Sequence, residues 1–390
     1  MSFTGKPTYA AGADLPELAE DVADLVSIVS PFETALLDHL GDPQRSAQST
    51  VHEWIEDTLL LNADTLNQSS FTPNAQDATS LTVFNGSRFQ VGDLLRPGNA
   101  AEVIFVTAIA ANVLTVVRRY GGTPASTLSN GIKLTILGNA ALEGADAPTA
   151  RFTNRTRRQN YTQIFTATCD VTGTMQAARA RGISDEFEFQ KQSRLRELLR
   201  DLENCVINGS APAATPQGSS TVRRSMNGII RSISTNQFVP GQGGFPSGGG
   251  GGTDLSEAVL NAALRNIWEQ SSGRIDTIVV NGMQKRRINQ FVTPAQRHLT
   301  PDDKRLSEVI SVYESDFGTC RVLLSRWMPA DTVLFLDSSR IEVLPLTGRS
   351  FHFKPLAATG DSHTGQLIGE YTVEFRNEAA HGLVRGLSTT

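Results

Sequence analysis

Residues 184–209 read SDEFEFQKQSRLRELLRDLENCVING, and this stretch decides the fold class. Phe187, Leu195, Leu198, Leu199, Leu202, Val206 and Ile207 recur near the helical period. Ser184 is the expected N-cap, Asp185 and Glu186 complement the helix dipole, and Asn208-Gly209 stops the helix. Such a helix runs for about 24 residues, about 36 Å at 1.5 Å per residue, longer than the average globular helix. Its other face carries Lys191, Arg194, Arg196, Arg200, Asp201 and Glu203, and a face so charged is expected to be solvated.

The flanking text is not helical. Upstream, Ser46 to Leu60 and Arg151 to Asp170 mix β-branched, aromatic and charged residues without a clean apolar side, which suits strands wet or partner-facing on both sides. Between them, short apolar runs at 89–95, 101–108, 112–119 and 132–137 are punctuated by Pro97-Gly98, Ala111-Asn112 and Gly121-Gly122. That spacing predicts an inserted small β-barrel or sandwich module over about 80–140, with a core of Val91, Leu94, Ile104, Val106, Leu114, Val116, Ile132 and Leu134. Near the start, Ser30-Pro31 opens a short helix that Gly41-Asp42-Pro43 ends, and Leu15 to Ile28 is weakly amphipathic and acidic.

Downstream, residues 240–253, with five glycines at 248–252, have flexible-loop composition. A helix is expected from Asp254, with Glu257 closing a capping box and Leu260, Leu264, Ile267 and Trp268 buried. Ile275 to Val280 reads as a buried strand, Gln284 to Phe291 as a basic helix, and Val309 to Leu387 mostly as strands. Strands and helices in runs rather than in alternation make the class α+β.

Composition excludes several roles. The chain has 390 residues, 39% hydrophobic and 19% charged, which supports a sizeable folded core. A net charge of −5 gives no reason to expect sequence-specific nucleic-acid binding. Cys169, Cys205 and Cys320 are too far apart for a Cys-x-x-Cys pair, Cys169 and Cys205 read as small buried hydrophobes, and a reducing compartment fits. There is no apolar signal core and no run of about 18 apolar residues, so neither secretion nor membrane spanning is expected. The glycine run lacks the Gly-Lys-Ser/Thr ending of a phosphate loop, and His52-Glu53-Trp54-Ile55-Glu56 lacks the second histidine of a zinc motif. Asp302-Asp303 reads as a helix start, and no Gly-x-Ser-x-Gly elbow occurs. No catalytic residue, cofactor or metal is assigned, and an enzyme is not expected.

The order of arm, extended segment, return segment, long charged helix, glycine-rich α/β region and strand-rich end resembles the major capsid proteins of tailed bacteriophages. Particular wording is similar too: Pro31-Phe32, His52-Glu53-Trp54 through Asp57-Thr58-Leu59, Glu143-Gly144-Ala145-Asp146-Ala147, Asn160-Tyr161-Thr162-Gln163-Ile164, Val171-Thr172-Gly173-Thr174, Glu197 to Glu203, Met226-Asn227-Gly228-Ile229 and Val280-Asn281. The resemblance implies an HK97-like fold: an N-terminal arm at 1–45, an E-loop at 46–170 carrying the inserted module, a P-domain spine helix region at 171–210, an A-domain at 211–308 and a strand-rich remainder at 309–390. It places the two E-loop arms at 46–62 and 148–168, buried mainly by other chains. The implied function is self-assembly into an icosahedral head shell around the phage genome, with an encapsulin-type nanocompartment or a β-rich phage binding or decoration protein as alternatives. Implied partners are copies of itself in hexamers and pentamers, decoration, scaffolding and portal proteins, and packaged double-stranded DNA by non-specific contact, with no membrane. The implied place is the virion, assembled in the host cytoplasm. Candidate inter-subunit contacts are Glu53, Trp54, Glu56, Asp57, Arg151, Arg155, Arg157 and Arg158, the four arginines crowding into eight residues of a net-negative chain.

Overall fold

The computed structural model describes residues 34–43, 45–57, 59–144, 146–147, 150–177, 185–271, 273–291, 312–357 and 360–389. The expectations for Leu15 to Ile28, Ser30 to Phe32, Ser184, Asp302-Asp303 and Val309 to Ser311 fall outside these residues. In chain order the first half contains α1 (Ala35–Leu40), β1 (Val51–Glu56), β2 (Ala63–Thr65), β3 (Ser80–Thr82), β4 (Asp93–Pro97), β5 (Ile104–Ala110), β6 (Val113–Val117), β7 (Lys133–Asn139), β8 (Thr156–Tyr161), β9 (Gln163–Thr172), α2 (Gly173–Ala177) and α3 (Glu186–Asn208). Then come α4 (Ile229–Ser232), β10 (Gln237–Phe238), α5 (Glu257–Gln270), β11 (Thr277–Val280), α6 (Gly282–Phe291), β12 (Val312–Ser315), β13 (Gly318–Leu324), β14 (Val333–Leu336), β15 (Ile341–Pro345), β16 (His352–Pro355), β17 (Ser362–Phe375) and β18 (Gly382–Val384). Ile55–Arg157 forms one compact unit, and the residues flanking it form the other.

In the flanking unit, α3 lies on a sheet centred on β17. Strand β9 pairs antiparallel along one edge of β17, from Thr172 opposite Ser362 to Gln163 opposite Tyr371. Strands β16 and β15 follow one another along its other edge. Leu198, Leu202, Val206 and Ile207 of α3 join Phe165, Cys169, Leu367, Val373 and Phe375 in one core, each buried aliphatic contributing about 2 kcal/mol. Asp185 supplies the cap of α3: its Oδ1 accepts from the amides of Phe187 at 2.9 Å and Glu188 at 3.3 Å.

Glu203 corrects the expectation of a solvated face, since it is fully buried. Its carboxylate accepts from the amides of Leu36 at 3.1 Å and Leu37 at 3.3 Å, and from the Ser325 hydroxyl at 3.0 Å. The first turn of α1, which starts at Ala35, is therefore capped by a side chain 167 residues away rather than by a neighbour.

The second sheet runs β10-β18-β14-β11-β13-β12. Strands β11 and β14 are buried on both faces, with Val279, Leu334 and Leu336 entering the α3 core and Ile278, Val280, Val333 and Phe335 entering a second core. Helix α5 covers that second core with Val259, Leu260, Leu264 and Ile267. It opens at Glu257 on a Ser256 cap, so the Asp254–Glu257 capping box does not form. Trp268 is 61% exposed, lying beside Phe317 rather than in the core. The glycine run is a tight turn, not a slack loop: Gly248 donates to the Gly252 carbonyl, and Gly250, Gly251 and Gly252 all have positive φ.

The remaining unit holds the β-module, a six-stranded sheet in the order β2-β7-β4-β5-β6-β3. Ile104, Val106, Leu114, Val116 and Leu134 form its core as expected, joined by Leu66, Ala78, Leu81, Val83, Phe89, Leu95 and Leu128, with Ile132 half-buried against them. Two expected core residues are corrected. Val91 is 60% exposed in a turn, and β4 turns Asp93, Leu95 and Pro97 inward, leaving Leu94 half-buried on the other face. The module also begins at β2, well before residue 80.

Candidate assembly surface

Strands β1 and β8 pair as a two-stranded ribbon. Its root is held by charged and amide groups over the polar face of β17. On a strand, Glu370, Thr372 and Glu374 share one face while Leu367, Val373 and Phe375 share the other, and all six are buried. Buried carboxylates require partners, and here these arrive from distant segments. His52 Nε2 lies 2.6 Å from Glu374 Oε2, and Arg45 Nη2 lies 2.8 Å from Glu342 and 3.3 Å from Glu374. Arg224 and Arg349 both pair with Glu370. The hydrogen bond from His52 is the largest influence on the Glu374 carboxyl and, with the charge of Arg45, holds it below the ordinary range despite burial.

Asn160 ties the other strand of the ribbon down. Its Nδ2 donates to the carbonyls of Val373 at 2.8 Å and Asn227 at 3.0 Å, and its Oδ1 accepts from the Asn227 amide. Beside it, Thr162 donates to Glu370 at 2.6 Å. None of Arg45, Arg224, Arg349, Glu370 or Glu374 was singled out from the sequence, and Asn160 only as part of the Asn160–Ile164 wording. The available signal was the pair of glutamates on the polar side of an otherwise apolar strand.

The return segment therefore divides. From Asn160 to Thr162 it is buried in its own chain, and β9 is a full member of the β17 sheet with Phe165 and Cys169 buried on one face and Ile164, Thr166 and Thr168 exposed on the other, so the expectation that 148–168 is covered mainly by other chains is corrected for 160–162 and Phe165. Residues 154–159 are exposed. Among the singled-out residues, Glu53, Asp57, Arg151, Arg155, Arg157 and Arg158 are exposed, while Trp54 and Glu56 are half-buried. Trp54 packs against His52, with ring centroids 5.9 Å apart. Arg155 Nε lies 3.7 Å from Asp57, and Arg151 donates to the Arg88 carbonyl at 2.9 Å. Exposed apolar side chains accompany the charges: Ile55 is 70% exposed, Leu59 93%, Leu142 82% and Phe152 81%. Among the described residues, no helix is long and apolar enough to cross a membrane.

These surfaces can be set beside known proteins. Over 195 residues the chain is 24% identical to the major capsid protein of Pseudomonas phage PaMx41, a match covering 50% of this chain and 45% of that protein. The match thus spans less than half the length of that curated relative. Among solved structures, the capsid of a native GTA particle aligns over 99% of this chain and 100% of its own, with a TM-score of 0.51 at 11% identity. The holo-SrpI encapsulin complex from Synechococcus elongatus PCC 7942 aligns over 61% of this chain and 79% of its own, with a TM-score of 0.41 at 9% identity, too distant to weigh in the assignment. The fold is α+β and HK97-like. The model of the SU10 major capsid protein matches residues 3–388. The chain belongs to the SU10 major capsid protein family.

Proposed function

We propose that this chain is the structural subunit of an icosahedral phage head, without catalytic activity, and that it assembles with copies of itself into hexamers and pentamers. In this reading 55–159 is the E-loop with the β-module as its insertion, α3 with the β17 sheet is the P-domain, and the β11–β14 sheet with α5 and α6 is the A-domain. The observation that carries it is the ribbon and its continuation: a monomer gains nothing from Ile55, Leu59, Leu142 and Phe152 in water, whereas a shell neighbour covers such a surface. Glu53, Trp54, Glu56, Asp57, Arg151, Arg155, Arg157 and Arg158 contribute to the contacts between copies. Packaged double-stranded DNA is touched only non-specifically, scaffolding, decoration and portal proteins are separate chains, and assembly takes place in the host cytoplasm.

Negative-stain microscopy of the purified chain tests this directly, with closed shells expected. A chain that stays monomeric at every concentration and salt condition overturns it.

A further inference from the structure

A pocket of about 880 Å³ opens on the β-module, inside the Ile55–Arg157 unit. Leu60, Val91, Ile109 and Phe152 give it apolar walls, and Arg151 is the lining residue that carries a charge. Arg151 is exposed; its Nη1 donates to the Arg88 carbonyl at 2.9 Å, a neutral acceptor, and no carboxylate pairs with it among the described residues. Val91 and Phe152 stay largely in water, at 60% and 81% exposure.

The same unit carries a projection of the opposite character. The Ala140 amide donates to the Gly92 carbonyl at 2.8 Å, one residue from Val91, so the chain leaves β7 beside the pocket. Leu142 then stands 82% exposed, and a turn at Glu143-Gly144, with Gly144 at a φ of 72° that favours glycine, holds Glu143 in solvent. Glu143 and Asp146 make the projection negative where the pocket is positive. A pocket and a projection that match in polarity and in sign on one unit are self-complementary, which is what a two-fold contact between identical chains requires. We infer that the pocket receives Leu142 of a second copy of the chain, with Glu143 of that copy paired with Arg151, and that the exchange is reciprocal. The inference rests on the shell reading and gives the β-module a contact of its own. Seating Leu142 takes apolar surface of both copies out of water, while the exposed ion pair sets orientation and salt dependence rather than adding much affinity.

The test is co-assembly of full chains that differ at one position. Leu142→Cys chains and Val91→Cys chains, mixed as dissociated subunits, assembled and oxidised, are expected to give a covalent dimer on a non-reducing gel in several-fold higher yield than either variant assembled alone. Leu142→Ser, and separately Val91→Lys, are each expected to cut the yield of closed particles by about tenfold, a small change per contact multiplied around a shell. Glu143→Arg and Arg151→Glu, each alone, are expected to make particles fall apart at lower salt, and the two together to recover most of the loss. Circular dichroism of the dissociated chains checks that all variants fold, as substitutions at exposed positions should. Wild-type yield from Leu142→Ser, no mixed dimer, or a disulfide closed within one chain when both cysteines are placed on it overturns the contact while leaving the shell reading intact. A wild-type chain that forms no closed particles overturns both.

Discussion

Two fully buried titratable groups of the flanking unit, Glu203 and His381, respond to pH in opposite directions. Burial pushes the Glu203 carboxyl up to about 7, against the three hydrogen bonds it accepts. A folded-state value above the unfolded one means that the folded chain binds the extra proton. Stability from this group is therefore complete below about pH 4.5 and is lost as pH rises through about 7, by at most about 1.4 kcal/mol per pH unit. His381 is the converse: it is fully buried, and burial pushes it down to about 4. Its Nδ1 accepts from the Asp337 amide at 3.1 Å, which requires that nitrogen to be unprotonated. Its contribution is present above pH 6.5 and is lost as pH falls toward 4. Glu203→Gln keeps the size and an acceptor while removing the titration. Thermal melts of the dissociated variant should show a gain over wild type that is largest at pH 7.5 and disappears below pH 4.5. A gain independent of pH would mean that Glu203 does not titrate in the folded chain.

Among the elements, α3 has both a local and a distant dependence. Asp185→Ala removes the acceptor for two first-turn amides and should cost about 1 kcal/mol, read as a lowered denaturant midpoint with an unchanged slope. The β-module depends on one internal ion pair instead. Glu102 is fully buried and accepts from Arg118 Nε at 2.8 Å and Nη2 at 2.7 Å, with further bonds from Arg119 and Ser126. Burial raises its carboxyl, but the hydrogen bonds from Arg118 and Ser126 outweigh that and hold it below the ordinary range. Arg118→Ala leaves the carboxylate buried without its counter-charge, a loss of about 3–5 kcal/mol. Limited proteolysis should then cut within 63–139 while the flanking unit stays protected. Cleavage spread equally over both units would show that the pair supports more than the module.

For the molecule as a whole, the cores are separate: the module core spans Leu66 to Leu134, and neither of the other two cores takes a residue from it. Replacing 63–139 by a short glycine-serine linker should leave the α3 and β17 framework folded, with the helical circular dichroism signal retained per chain. Loss of that signal would show that the module is needed for the rest to fold. Shells formed by the deleted chain should be weaker or absent only to the extent that the module takes part in contacts between copies.

Helix α3, the buried strand β11, and most of the module core were legible in the residues. Each is written in local spacing: a helical stripe, a four-residue apolar run, an alternating pair of strands. The choice of Leu95 over Leu94 was not legible, because two adjacent leucines leave the inward parity of a short strand open. Nor was the module's true start, because β2 is three residues with no readable period. The candidate assembly segments were read correctly as strands but only half correctly as surfaces. Arg151 to Asp170 looks alike along its length, yet β9 pairs with β17, from Thr172 opposite Ser362 to Gln163 opposite Tyr371, and buries one face, while 154–159 remains exposed. Local spacing determines which side of an element can be buried. Whether another part of the same chain covers that side, as α3 covers Phe165 and Cys169 of β9 and Glu203 meets the amides of Leu36 and Leu37, is a matter of long-range pairing, and only the folded arrangement decides it.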